Sequence, residues 1–228
     1  MKKALSLAIS SVLGVAALAS SNAHAVEGLS ANVGLTSNYL WRGVTQTDDA
    51  AAVSGGIDYE HASGIYVGTW ASNVDFNDDQ ASYELDFYGG YAGEIGDFGY
   101  DVGYIYYAYP DADEDNLGEY DFGEVYGGVS WQWFGVSAAY TTNHDVDELE
   151  DALYLEATAE FEIADGLTLG FAVGNFDFDD DSLEDYVNYN ASLTKSTDAG
   201  DFTFMLSDTD IDNDDMVAVV SYSIGIDL

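Results

Sequence analysis

The chain has 228 residues, with 43 Asp and Glu against four Lys and Arg. Charge of that size repels nucleic acid and anionic lipid, and the absence of cysteine excludes disulfides, thiolate metal sites and Cys nucleophiles. Intrinsic disorder is excluded too, because disordered chains are poor in aromatics and this one holds 18 Tyr and 11 Phe.

Lys2 and Lys3 precede an apolar run from Ala4 to Leu18, and Ala23-x-Ala25 fits a signal-peptidase site. The run falls short of the roughly 20 apolar residues a spanning helix needs. The expectation is a secretory signal over 1–25 and one domain over 26–228. Removing the signal leaves Arg42 and Lys195 as the only Lys or Arg against the same 43 acids.

After the signal the pattern is alternation, the mark of strands whose side chains point to opposite faces. Leu29, Ala31, Val33, Leu35, Ser37, Tyr39 and Trp41 form one face, and Asn32, Thr36, Asn38 and Arg42 the other. A polar loop from Gly43 to Ala51 follows. Val53, Ile57 and Tyr59 then oppose Asp58 and Glu60, and His61-Ala62-Ser63-Gly64 makes a tight turn. Ile65, Val67, Thr69 and Ala71 begin the next strand. Tyr83, Leu85 and Phe87 oppose Glu84 and Asp86, and Tyr100, Val102, Tyr104 and Tyr106 oppose Asp101.

Beyond an acidic loop from Pro110 to Glu119, Val125, Gly127, Val129 and Trp131 oppose Glu124. Phe134, Val136, Ala138 and Tyr140 follow a turn at Gln132-Trp133. The cleanest stretch is Asp151 to Ile163. Leu153, Leu155, Ala157, Ala159, Phe161 and Ile163 face one way; Tyr154, Glu156, Thr158, Glu160 and Glu162 face the other. Ala164-Asp165-Gly166 is a hairpin signal. Three more strands follow around Leu169, Ala191 and Phe204, and the chain closes with Ala218, Val220, Tyr222, Ile224, Ile226 and Leu228 on one face.

That gives about twelve strands whose connections alternate: tight turns near 62, 95, 132, 165 and 198, longer acidic loops near 47, 77, 114, 146, 180 and 211. An even strand number with short turns on one side and long loops on the other marks a bacterial transmembrane barrel. The expected fold is therefore all-β, an antiparallel up-and-down barrel in the outer membrane of a Gram-negative bacterium, closed because an open sheet edge is costly in hydrocarbon. Twelve tilted strands enclose a lumen on the order of 10 Å across. No segment is long enough for a plug domain.

Arg42 then falls on the lumen wall among Asp58, Glu60, Glu84 and Asp86, either as a constriction-zone charge or as a counter-ion for its neighbours. The expected wall adds Asp101, Glu124, Glu156, Glu160 and Glu162. Rings of carboxylates favour cations. Tyr39, Trp41, Trp131 and Trp133, near strand ends, are expected in an interfacial girdle. Asp177, Asp179 and Asp181, and likewise Asp208, Asp210 and Asp212, have the spacing of the first calcium-loop ligands. Both runs lack the Gly and Glu of an EF-hand, so only loosely bound Ca²⁺ or Mg²⁺ is expected, and no other cofactor. His144, beside Asp145 and near Thr141 and Thr142, is the one candidate for a barrel hydrolase. No G-x-S-x-G or H-E-x-x-H accompanies it, so no enzymatic activity is expected.

Ser37-Asn38-Tyr39-Leu40-Trp41-Arg42-Gly43, Gly64-Ile65-Tyr66-Val67-Gly68-Thr69-Trp70-Ala71-Ser72-Asn73, Glu84-Leu85-Asp86 and Tyr106-Tyr107-Ala108-Tyr109-Pro110 resemble the TorF-type family of proposed porins of proteobacteria. The resemblance covers most of the chain after the signal and is strongest in the N-terminal half. It implies an outer-membrane location and a porin activity, and brings no substrate or catalytic residues. The expected partners are small solutes, outer-membrane lipid, lipopolysaccharide and the barrel-assembly machinery. The alternative is a non-conducting barrel whose acidic loops serve adhesion or divalent-cation contact with lipopolysaccharide.

Overall fold

The computed structural model describes residues 26–76, 81–112, 120–144, 149–180 and 182–228. The expected signal over 1–25 lies outside them. Twelve antiparallel strands close into a barrel: β1 Leu29–Thr36, β4 Ala52–Glu60, β5 Ile65–Asn73, β6 Tyr83–Ile95, β7 Phe98–Ala108, β8 Phe122–Trp131, β9 Phe134–His144, β10 Leu153–Ala164, β11 Leu167–Asp177, β12 Tyr186–Thr197, β13 Gly200–Thr209 and β14 Val217–Asp227. Each pairs with its sequence neighbour in the barrel. β1 closes the ring against β14, Ser30 opposite Asp227 and Thr36 opposite Ser221. Two further short strands, β2 Leu40–Trp41 and β3 Val44–Thr45, form a separate hairpin in the connection between β1 and β4.

The alternation sorts as expected. Val53, Ile57, Ile65, Val67, Phe87, Val102, Val129, Phe202 and Val220 are all at least half exposed on the outer surface. A belt of that extent around a whole molecule is a membrane-facing surface, since soluble monomers rarely expose large contiguous apolar patches. At the tight-turn end aromatic pairs ring the belt: Tyr91 with Tyr100, Phe98 with Trp131, Trp133 with Phe161, and Phe202 with Tyr222. Trp131 and Trp133 thus take the girdle positions expected of them.

The buried apolar residues lie inside the barrel, toward the loop end. One cluster holds Val74, Ala81, Ile105, Tyr107, Tyr109 and Phe122; a second holds Ala139, Ala152, Tyr154, Phe176 and Tyr186. Trp41 packs against both. The expected first strand, running on through Tyr39 to Arg42, stops instead at Thr36, and the chain beyond it folds into the lumen. Tyr39 and Trp41 are therefore interior residues and not girdle. The same hairpin occupies part of the lumen, though it is far shorter than a plug domain. The strands flanking it are short, 8 residues in β1 and 9 in β4, against 13 in β6. The wall is lowest where the hairpin enters.

Candidate functional site: a hairpin across an acidic lumen

The hairpin is built by its own sequence. Leu40 pairs with Thr45 and Trp41 with Val44, leaving Arg42 and Gly43 as a two-residue turn with φ of 50° and 88°. Both central residues of such a turn need positive φ, which suits Gly and strains Arg. Behind the turn, buried Asn38 donates to Asp49 at 2.8 Å and accepts from the Thr45 hydroxyl at 2.7 Å. The Thr47 hydroxyl donates to the Ala50 carbonyl at 2.6 Å, and the Asp75 N–H donates to the Gln46 carbonyl at 2.8 Å. These bonds satisfy polar groups that would otherwise be costly to bury.

From this base the hairpin reaches across the lumen. The Tyr39 ring lies 5.5 Å from Trp70 on β5, and its hydroxyl donates to Glu84 on β6 at 2.8 Å. Trp41 meets Tyr107, Phe122 and Phe176 edge-on, at 6.2, 5.8 and 5.6 Å. Gly43 lies so close to Asn188 and Thr209, on β12 and β13, that a Cβ there would stand 2.8 Å from each. Arg42 donates from Nη2 to Glu124 on β8 at 2.8 Å, with the pair's side chains 5% and 0% exposed. Its guanidinium carbon lies 4.2 Å from the Trp41 ring centroid, 4.3 Å from Tyr154 and 4.6 Å from Phe176.

The sequence placed Arg42 in the lumen, and it is there, but on a loop, paired with Glu124 and not with Asp58, Glu60, Glu84 or Asp86. Asp58 instead takes the Asn32 amide at 3.2 Å and the Tyr88 hydroxyl. Glu84 takes two phenols, Tyr39 and Tyr109. Asp86, fully buried, has no hydrogen-bond partner at either oxygen among the described residues. Asp101 accepts from Tyr66 at 2.7 Å. Tyr154 bonds Glu156 at 3.1 Å. Glu60 and Glu162 are exposed near the tight-turn end, and the Gly166 N–H donates to Glu162 at 3.3 Å.

A cavity of about 330 Å³ runs below the hairpin, bordered by Arg42, Tyr154, Glu156, Glu160, Asn190 and Ser192 among others. It lies against β8 to β13, the side on which inward residues are mostly small, Ser, Thr or Asn. The buried tyrosines of this site were not legible as lumen residues one by one. The signal that could have found the hairpin was the Arg-Gly pair flanked by Asn38, Thr45 and Thr47.

The remaining candidates are dispersed. Asp208 lies on β13, accepting from Tyr189 at 3.3 Å, while Asp210 caps the Val187 N–H at 2.7 Å. Asp177 ends β11; Asp179 and Asp212 lie in loops; Asp181 lies outside the described residues. Among the described residues no three Asp, Glu or His are gathered as a metal site. His144 ends β9 with its ring stacked on Phe122 at 5.1 Å. Thr141 donates to Glu124 and Thr142 to the Gly123 carbonyl, so neither hydroxyl is set up by His144. Asp145 lies outside the described residues.

A family model described as "Bacterial protein of unknown function (Gcw_chp)" matches residues 20–224. The chain belongs to the Gcw_chp family. No curated protein matches it. The barrel is similar to the solved KdgM porin, with a TM-score of 0.58 at 9% identity over 87% of this chain and 99% of that one. It is similar also to the NanC porin, with a TM-score of 0.52 at 11% identity over 86% and 97%. Identities this low establish the shared twelve-stranded fold and no more.

Proposed function

We propose that this Gcw_chp protein is an outer-membrane porin that admits small solutes by diffusion and favours cations, after export and loss of residues 1–25. The observation that carries the reading is the charge of the inner wall. Asp58, Asp101, Glu156 and Glu160 line it, and Arg42, its one Lys or Arg among the described residues, is matched by Glu124. Fixed carboxylates along a water-filled path concentrate cations and exclude anions. Lys195 does not offset them: it lies on the outer face near a tight turn, its Nζ 2.8 Å from the Asp165 carbonyl. The KdgM porin has been solved with oligogalacturonate, a polyanion. The sign of the present wall argues against carrying that solute over.

The TorF-type assignment belongs to this proposal, as do lipid, lipopolysaccharide and the barrel-assembly machinery as partners. One observation favours a second reading, a non-conducting barrel that displays acidic loops: the hairpin fills much of the loop end. Planar bilayers separate the two. The purified protein is expected to conduct, with a reversal potential of cation sign in a KCl gradient. Absence of conductance would favour the display barrel, and chloride preference would refute the wall argument.

A further inference from the structure

Arg42 is held by ring faces more than by hydrogen bonds. A guanidinium carries five N–H donors. Here Nη2 meets Glu124, while Nη1, also buried, meets no acceptor among the described residues. The charge instead sits among Trp41, Tyr154 and Phe176, each ring centroid within 4.6 Å of the guanidinium carbon. Three aromatic faces and one carboxylate make the chemistry by which proteins recognise organic cations.

Most of this box belongs to the barrel and not to the hairpin. Tyr154 is fixed on β10 by contact between its hydroxyl and Asn188 at 3.1 Å. Phe176 on β11 packs against Phe178 at 4.4 Å and Tyr186 at 5.7 Å. Glu124 is also reached by the Tyr107 and Thr141 hydroxyls at 3.4 and 3.3 Å. Arg42 enters from a turn at strained φ. The box borders the 330 Å³ cavity, which shares Arg42 and Tyr154 with it and carries Glu156 and Glu160 on the approach.

We propose that Trp41, Tyr154, Phe176 and Glu124 form a binding site for small organic cations with guanidinium or alkylammonium heads, and that Arg42 is its tethered occupant, displaced by such a solute arriving from the cavity. This names a solute class for the porin reading, but the site itself does not depend on conduction.

The test uses the full barrel, methylguanidinium as probe and methylurea as its neutral isostere. In Arg42→Ala, methylguanidinium at millimolar levels is expected to raise the thermal midpoint saturably, and methylurea to leave it unchanged. The wild type, which must first expel Arg42, is expected to bind about tenfold more weakly or worse, since affinity falls with the fraction of open box. Adding Glu124→Gln to Arg42→Ala is expected to remove the response. If Arg42→Ala does not fold, Arg42→Gln keeps part of the stem and vacates the charge. In bilayers the same probe is expected to block Arg42→Ala currents at lower concentration than wild-type currents. Equal responses to probe and isostere, or equal responses of wild type and variant, would overturn the site. A barrel that conducts nothing would remove the porin reading alone, because the thermal measurement still decides the box.

Discussion

The wall from β4 to β8 and the wall from β9 to β14 share one alternating pattern, yet the first is packed along its inner face and the second leaves open space below its loop-end cluster. On the first arc, inward tyrosines lie over glycines of neighbouring strands. A Cβ on Gly68 would stand 2.4 Å from the Tyr88 ring, and one on Gly90 or Gly103 would stand 2.4 Å from the hydroxyl of Tyr66 or Tyr126. Glu84, Asp86 and Glu124 are sealed there under the hairpin. On the second arc the inward residues include Ser137, Thr158, Asn190, Ser192 and Thr203, and they border the cavity. Alternation decides which side chains point inward; their size decides whether the inside is filled. The sealed carboxylates Glu84, Asp86 and Glu124 should therefore govern stability, and those that face open space, Glu160 among them, should govern passage.

The strongest way to break this division is Glu124→Ala. It strips the buried Arg42 of its counter-charge, and breaking a buried pair typically costs about 3–5 kcal/mol. A loss of stability of at least about 3 kcal/mol is expected, read as a lowered unfolding midpoint in detergent or lipid. An unchanged midpoint would mean that the hairpin does not hold the first arc together.

Trp41→Ala comes next. Removing a large buried aromatic costs about 3 kcal/mol or more; Trp41 is partly buried, so about 2 kcal/mol is expected, and the change also removes one of the contacts, with Tyr126, that join the two buried clusters. Lower stability and a larger single-channel conductance are expected together. Trp131→Ala, at an exposed girdle position stacked on Phe98, should change both far less. Equal effects of the two substitutions would return Trp41 to the girdle.

Asp86→Asn tests the same arc with opposite sign. Asp86 is fully buried and neither oxygen has a donor among the described residues. A buried charge without a partner is destabilising, and a neutral amide of the same shape is less so. The variant is expected to gain stability, by roughly 1 kcal/mol, with selectivity unchanged. A loss of stability would mean that the carboxylate is matched in a way the hydrogen bonds do not reveal.

The barrel itself was legible because period-2 alternation and loop sorting recur around the whole chain. Asp151 to Ile163 alone shows both faces, and β10 follows them through its turn. The hairpin was hidden by the same signal. Ser37, Tyr39 and Trp41 continue the parity of Leu29 to Leu35, so an aromatic face turned into the lumen looked like one turned to lipid. Parity cannot say where a strand ends, and here the chain leaves the sheet at Thr36. Arg42 was legible as a lumen charge, but its partner was not. Glu124 lies 82 residues away, and only the inward fold of the loop brings them together.

The finest test of the comparison is Glu160→Gln. Glu160 lies on β10 beside the cavity, its side chain exposed to the lumen and bordered by Thr158 and Gly170. Removing one wall charge from the open arc should reduce cation preference without moving the unfolding midpoint, the reverse of what Asp86→Asn should do. The effect should depend on salt. At 0.15 M the screening length is about 8 Å, comparable with the lumen radius, so a single wall charge is felt across the path; at 1 M it shrinks to about 3 Å and the charge acts only on ions beside it. Reversal potentials in KCl gradients at low and high salt measure this directly. The variant and the wild type are expected to differ at low salt and to converge near 1 M. A difference that persists at high salt would mean that Glu160 acts by contact at a narrow point and not through the field of the wall. No difference at low salt, set beside a changed selectivity in Asp86→Asn, would invert the roles of the two arcs.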